Sequence, residues 1–263
     1  SLPRSREALI AMADPGGDQV AFLFDAKLCI GCAGCVTACR EANNGDSSAS
    51  TAVLTDRALL AIRRQGGRFV RLSCMHCNDP ACVSVCPVGA FRKQEDGAVT
   101  YRSDLCMGCR YCLLACPFSI PRYQWESRVP LVRKCELCST RRAEGLPPAC
   151  AFACPTGALK FGERNTMVQE ARARMGGGGY VDGIYGMTEA GGTSLLTISD
   201  IPFANLGLRL DLPSSPLPTR TDAYLSHLPG LISTLTVMLA GLHWIVRRRD
   251  AVAARSAVTG EKA

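Results

Sequence analysis

At 263 residues, the chain has room for one large domain or two small ones and is far too long for a small disulfide-stapled scaffold. Its apolar content of 47 % is ordinary, and its net charge of +7 comes without a Lys/Arg run in the part that holds most of the unusual residues, which argues against nucleic acid as a partner. The compositional outlier is cysteine, with sixteen copies.

In chain order, residues 20–25 form a short apolar run that predicts a strand feeding a cysteine-rich loop, Cys29, Cys32, Cys35 and Cys39. Residues 43–50 are polar and predict a loop, and 59–63 and 68–72 alternate around Gly66-Gly67 as a hairpin does. A second group follows, Cys74, Cys77, Cys82 and Cys86; then an Asp96-Gly97 turn, a strand over 98–101, and a third group, Cys106, Cys109, Cys112 and Cys116. The fourth group is Cys135, Cys138, Cys150 and Cys154, after which the cysteines stop. Residues 163–175 suit a short amphipathic helix broken by Gly176 to Gly179, and 193–198 suit a strand. Residues 199–222 carry four prolines and no core pattern, which predicts an extended arm lying on a partner or a loose linker.

The spacing of the cysteines carries chemistry. Groups one and three read C-x2-C-x2-C-x3-C, the run of bacterial two-cluster ferredoxins; group two widens one gap to four residues and group four to eleven. Three thiolates of one tight loop converge on three irons of a cube, while the cysteine three residues further on ligates a different cluster, so two groups interlock to build two sites. Sixteen cysteines in four such groups predict four [4Fe–4S] clusters, with no cysteine left over. A disulfide framework fits poorly, because Cys-x-x-Cys repeats have unsuitable geometry for bridging. Structural zinc could use group four alone, but the triple-cysteine runs do not match the paired cysteines of zinc sites. Bound clusters are anionic, so Arg133 and Lys134 would favour the reduced form, or else sit as solvated surface charges. His76 lies between two ligands of a complete set and reads as a hydrogen-bonding or surface residue. Two modules rich in loops bury little apolar surface by themselves, so the chain without iron is expected to be unfolded or aggregated.

An internal repeat aligns Leu28-Cys29-Ile30-Gly31-Cys32 with Leu105-Cys106-Met107-Gly108-Cys109, and Cys86-Pro87-Val88-Gly89-Ala90 with Cys154-Pro155-Thr156-Gly157-Ala158. Residues 223–246 contain no Asp, Glu, Lys or Arg, and 228–246 as a helix would run about 28 Å, near the hydrocarbon thickness of a bilayer. Pro229 suits the helix start, Tyr224 and Trp244 the two interfaces, and Arg247-Arg248-Arg249 follows at once. The span reads as a single transmembrane helix with its C-terminus in the cytoplasm and the cysteine-rich part in a bacterial periplasm. His243 within it invites a haem or quinone contact, or simply reaches headgroup water. Residues 1–13 show no apolar signal core, and Arg4 and Arg6 are not adjacent, so an export signal has been removed or travels on a partner.

With Cys-Met-His-Cys at 74–77, Cys-Arg-Tyr-Cys-Leu-Leu-Ala-Cys-Pro-Phe at 109–118, Lys-Cys-Glu-Leu-Cys at 134–138 and Cys-Pro-Thr-Gly-Ala at 154–158, the chain resembles the four-cluster ferredoxin-like subunits of bacterial respiratory oxidoreductases. Within that family, Tyr185-Gly186, Gly191-Gly192-Thr193 and Ile201-Pro202-Phe203-Ala204-Asn205-Leu206 look most like the membrane-anchored hydrogenase-2 type, with the formate dehydrogenase beta subunit next.

The resemblance implies an α+β fold of two interlocked dicluster modules, 20–72 with 127–162 and 73–126. Beyond them it implies an arm over 163–222 packed on partner subunits, a membrane helix over 223–249 and a cytoplasmic tail over 250–263. It implies cluster 1 on Cys29, Cys32, Cys35 and Cys154, and cluster 2 on Cys135, Cys138, Cys150 and Cys39. Cluster 3 would take Cys74, Cys77, Cys82 and Cys116, and cluster 4 would take Cys106, Cys109, Cys112 and Cys86. Arg40 departs from the proline that follows the last cysteine of the other groups.

With no catalytic residues expected, the implied role is an electron relay in the inner membrane between a periplasmic catalytic partner and a polytopic quinone-reactive subunit. The partner is a hydrogenase with large and small subunits, or alternatively a molybdopterin subunit of formate dehydrogenase type. A tethered redox sensor or scaffold is a more distant reading, and a self-contained quinone reductase suits a single helix poorly.

Overall fold

A computed structural model of the chain describes residues 19–45, 48 and 50–259. The expectations about residues 1–13, and parts of those about 43–50 and the C-terminal tail, lie outside the described residues. Among the described residues, those up to Pro218 form one compact unit and those from Thr219 onward a second.

The first unit is organised on β1 (Val20–Asp25), the central strand of a three-stranded sheet. It pairs antiparallel with β8 (Leu159–Glu163) and parallel with β9 (Leu195–Ile198). Alternate side chains of a strand point to opposite faces, and both faces of β1 are covered, which is why its sequence is continuously apolar. Ala21 and Leu23 pack with Met167, Val168 and Ala171 of α6 (Arg164–Gly176). Phe22 and Phe24 face the cysteine-bearing side, with Val36, Leu60, Ile62, Val70 and Met75.

Around this sheet lie three hairpins and five short helices. β2 (Ala61–Gln65) and β3 (Arg68–Leu72) turn at Gly66 and Gly67, both at positive φ as a tight two-residue hairpin loop requires. β4 (Phe91–Lys93) pairs with β5 (Val99–Tyr101), and β6 (Arg122–Tyr123) with β7 (Val132–Arg133). The helices α1 (Gly34–Ala42), α2 (Ala81–Ser84), α3 (Tyr111–Ala115), α4 (Ser139–Ala143) and α5 (Ala149–Phe152) each lie within a cysteine group. α2, α3 and α5 stop before a Cys-Pro pair, because proline lacks an N–H and drives the preceding residue out of helical geometry. Arg40 removes that stop, and α1 runs through Cys39 to Ala42.

The strand over 20–25, the glycine hairpin and the turn at Asp96-Gly97 lie where the sequence predicts, with β2 beginning two residues later than expected. The stretch over 163–222 contains the helix and the strand that the sequence predicts. Within it, α6 and β9 belong to the central core, and after β9 Leu206 is fully buried while Ile201, Phe203 and Leu208 pack on the core of their own chain. Alternation is missing there because the backbone turns rather than extends, so apolar spacing follows loop geometry. Arg209 donates to the Pro117 carbonyl at 2.9 Å, and a helix, α7 (Leu217–Leu225), replaces extended chain at the end.

The second unit holds α8 (Leu228–Thr259), which continues unbroken through the arginine triplet, so the expected tail is helical as far as Thr259. The most apolar eighteen residues within Leu228–Arg255 have a mean hydropathy of 1.5, and the helix is long and apolar enough to cross a membrane. Thr234 and Thr236 donate their hydroxyls to the Gly230 and Ile232 carbonyls at 2.8 Å, satisfying polar groups without water. Arg248 lies 5.7 Å over the Trp244 ring.

Candidate metal centres

All sixteen cysteines are free thiols. The Cys-x-x-Cys loops curl because residues in them adopt positive φ: Gly31 and Ala33, His76, Gly108 and Arg110, Leu137 and Cys138. For non-glycine residues this region is strained, and its recurrence in all four groups marks loops shaped for a common purpose. At Gly31 a Cβ would come within 2.3 Å of the Phe69 ring, so only glycine fits.

Strand pairing decides which groups meet. β1 precedes group one and β8 follows group four, so their antiparallel pairing, with α1 packed on α5, brings those groups together. In the same way β4 and β5, with α2 on α3, join groups two and three.

The thiols accordingly gather in fours. Cys29, Cys32, Cys35 and Cys154 line one cavity with Arg71, Phe24 and Ile62. Cys39 lies within electrostatic reach of Cys135, Cys150 and Cys138, Cys77 of Cys74, Cys116 and Cys82, and Cys112 of Cys106, Cys109 and Cys86. Across the quartets, Cys35 lies within electrostatic reach of Cys150, Cys135 of Cys74, and Cys82 of Cys112, which links the four in succession. Apolar clusters fill the junctions: Leu54, Ala61 and Ile120 pack around Cys74 and Cys135, and Phe91, Val99 and Val132 around Cys82 and Cys112.

Burial pushes these thiols up, Cys35, Cys82 and Cys135 to about 12 and Cys112 to about 11, with neighbouring thiols adding to the rise. A buried thiol quartet therefore keeps its protons until a cation arrives to replace them. Peptide N–H groups already point at sulfur: Ala90 at Cys86 (3.2 Å), Leu159 at Cys154 (3.3 Å) and Leu137 at Cys135 (3.4 Å).

Positive charge is buried with the sulfur. Arg71 and Lys134 are 4 % and 3 % exposed, and Lys93 is half-buried, with Nζ donating to the Cys77 carbonyl at 2.8 Å. Burial brings Lys93 down to about 8. Lys134 bonds the carbonyls of Val99 and Cys135 (3.0 Å to the latter). Of the two cations expected near the sites, Lys134 is there, whereas Arg133 is half-buried and donates to the Asn43 carbonyl at 3.3 Å. Arg71 and Lys93 were not legible as site residues; the only signal was an arginine on the hairpin strand three positions before Cys74.

His76 is fully buried. Its Nδ1 accepts the Val99 N–H at 3.0 Å, so the proton sits on Nε2, which has no partner among the described residues. Burial, then Lys134 and Lys93, hold it neutral by lowering its affinity for a second proton. His243 is exposed on α8.

Soft thiol donors in fours, inward N–H groups, an unpartnered imidazole N–H and buried cations all fit an anionic iron–sulfur group. Among the described residues no three His, Cys, Asp or Glu side chains converge as they would around one ion. Residues 66–164 match the family of 4Fe-4S dicluster domains. The hydrogenase-2 operon protein HybA of Escherichia coli O157:H7 is 32 % identical over 94 % of this chain and 90 % of its own length. The chain belongs to the 4Fe–4S ferredoxin-like subunits of respiratory oxidoreductases. The nitrate-inducible formate dehydrogenase iron-sulfur subunit of E. coli K12 is 36 % identical over 68 % of each chain. The probable anaerobic dimethyl sulfoxide reductase chain YnfG of the same strain is 37 % identical over 60 % of this chain and 78 % of its own. This family's iron–sulfur subunits serve electron transport, and the apolar α8 is a suitable anchor for such a subunit.

Proposed function

We propose that the chain holds four [4Fe–4S] clusters and relays electrons between a periplasmic catalytic subunit of [NiFe] hydrogenase type and a quinone-reactive subunit in the membrane. The observation that carries this is the succession of four thiol quartets linked at Cys35–Cys150, Cys135–Cys74 and Cys82–Cys112. Cysteines 29, 32, 35 and 154 hold the first site, 39, 135, 138 and 150 the second, 74, 77, 82 and 116 the third, and 86, 106, 109 and 112 the fourth. The two pairs make interlocked modules, since each group lends its last cysteine to its partner's site. A bound [4Fe–4S] cluster supplies one-electron storage with no bond made and no proton moved. With four thiolates spent on each site, the chain keeps no open iron for substrate and acts as the non-catalytic component.

The hydrogenase reading is supported by the likeness to HybA along nearly the whole chain. The likeness to a formate dehydrogenase subunit over two thirds of the chain favours the second reading, a molybdopterin partner. Arg247-Arg248-Arg249 at the end of the apolar stretch supports a cytoplasmic C-terminus and periplasmic sites. Anaerobic purification of the intact complex, with assay of iron, nickel and molybdenum, separates the two: about sixteen irons assignable to this chain with nickel supports hydrogenase, and molybdenum the alternative. Cys112→Ala should abolish electron flow from donor to quinone; undiminished flow would refute the relay.

A further inference from the structure

Arg71 is a permanent positive charge in the wrong place for a structural ion pair. The guanidinium sits on β3, 4 % exposed, and meets no carboxylate among the described residues. Its neighbours are the Ser73 hydroxyl, the Phe22 ring at 4.6 Å from Cζ, and the Cys150 sulfur at 3.8 Å from Nη2, while Nε has no hydrogen-bond partner among the described residues. It lines the cavity of Cys29, Cys32, Cys35 and Cys154, and on its other side faces Cys150 and Cys135. An arginine cannot shed its proton to escape burial, so its charge must be balanced by what those sulfurs become when metal is bound.

We propose that Arg71 is a positioning residue shared by the first and second cluster sites, raising the reduction potential of both. The inference rests on the site assignment proposed above. Reduction at either site adds one electron and one negative charge, with no bond broken and no proton taken up; the electron comes from a neighbouring site or an added reductant. Arg71 offsets that charge at both sites at once, through a forked, delocalised cation that a point charge on lysine reproduces only in part. Lys93, on the Cys77 carbonyl, serves the third site, and Lys134 lies between the second and third, on the Cys135 carbonyl and within electrostatic reach of Cys82; neither lines the cavity of Cys29, Cys32, Cys35 and Cys154.

The test is a dithionite titration of the intact complex with redox mediators, followed by electron paramagnetic resonance, in the wild type, Arg71→Gln and Arg71→Lys. Cys32→Ser and Cys138→Ser identify the two signals concerned, each disturbing one. At the wild-type midpoint potentials, R71Q should lower the reduced-to-oxidised ratio at least tenfold at the first and second sites, a shift of 59 mV for one electron, with the fourth site unmoved. R71K should move the same two by a smaller step. Unchanged potentials in whichever variant retains its iron, or an equal drop at all four sites, would overturn the role of Arg71 while leaving the site assignment standing. If C32S and C138S disturb the same signal, the assignment fails and this inference with it.

Discussion

Asp25 shows how one buried carboxylate aligns a cluster loop. Oδ1 accepts the N–H groups of Lys27 (3.0 Å) and Leu28 (3.3 Å), the two residues before Cys29. Oδ2 accepts from Tyr180 (2.9 Å) and Arg174 Nη1 (3.1 Å), tying the loop to α6 and to the segment beyond it. Asp25→Asn keeps the shape but leaves Arg174, its side chain only 14 % exposed, without its buried charge partner. The expected loss is about 2–3 kcal/mol, read as bleaching of cluster absorbance at a lower temperature; an unchanged bleaching temperature would contradict this account. The thiols were legible in the sequence because ligand spacing is a local property. Asp25, Arg71 and the buried His76 were not, because each depends on segments distant in sequence: Arg174 and Tyr180 for the first, Cys150 for the second, Val99 for the third.

At the scale of elements, periodicity revealed β1 and the glycine hairpin, whose patterns are set by their own backbones. It failed at residues 199–209, where turns rather than a repeating backbone deliver Leu206 to the core. The hairpin and this segment are joined by the bidentate ion pair of Arg68 with Asp200, which holds the Asp200 carboxyl below its ordinary range. A carboxylate depressed in the folded state adds stability above its unfolded value, near 3.9, and that contribution is lost as pH falls through the folded value. Asp200→Asn should therefore lose its clusters a few-fold faster than wild type at pH 7, and the two rates should converge below about pH 4. Rates that differ by the same factor across this range would exclude the pair as the cause. Its effect should remain modest, because Arg68 is partly exposed to solvent.

At the scale of the molecule, the division after Pro218 separates two kinds of chain. The first unit has its own core and all sixteen cysteines, while the second consists of helix with its apolar side chains exposed. A chain ended after Pro218 should appear in the soluble fraction with its iron retained. Continued sedimentation with membranes stripped of partner subunits would show that α8 is not the anchor. The uncharged stretch from residue 223 was legible in the sequence as a helix, whereas the unbroken course of α8 was not, since three arginines in a row mark the edge of lipid without saying whether the backbone stays helical.

That continuity gives the chain a spacer of fixed length. The thirteen residues beyond Val246 in α8 add about 20 Å of helix, of which headgroups cover roughly 5–8 Å. With Arg247 at the hydrocarbon edge, a fluorophore attached at the end of α8 would stand clear of the lipid by on the order of 10 Å. Energy transfer from labelled headgroups would then report helix tilt in place of the random motion of a tether.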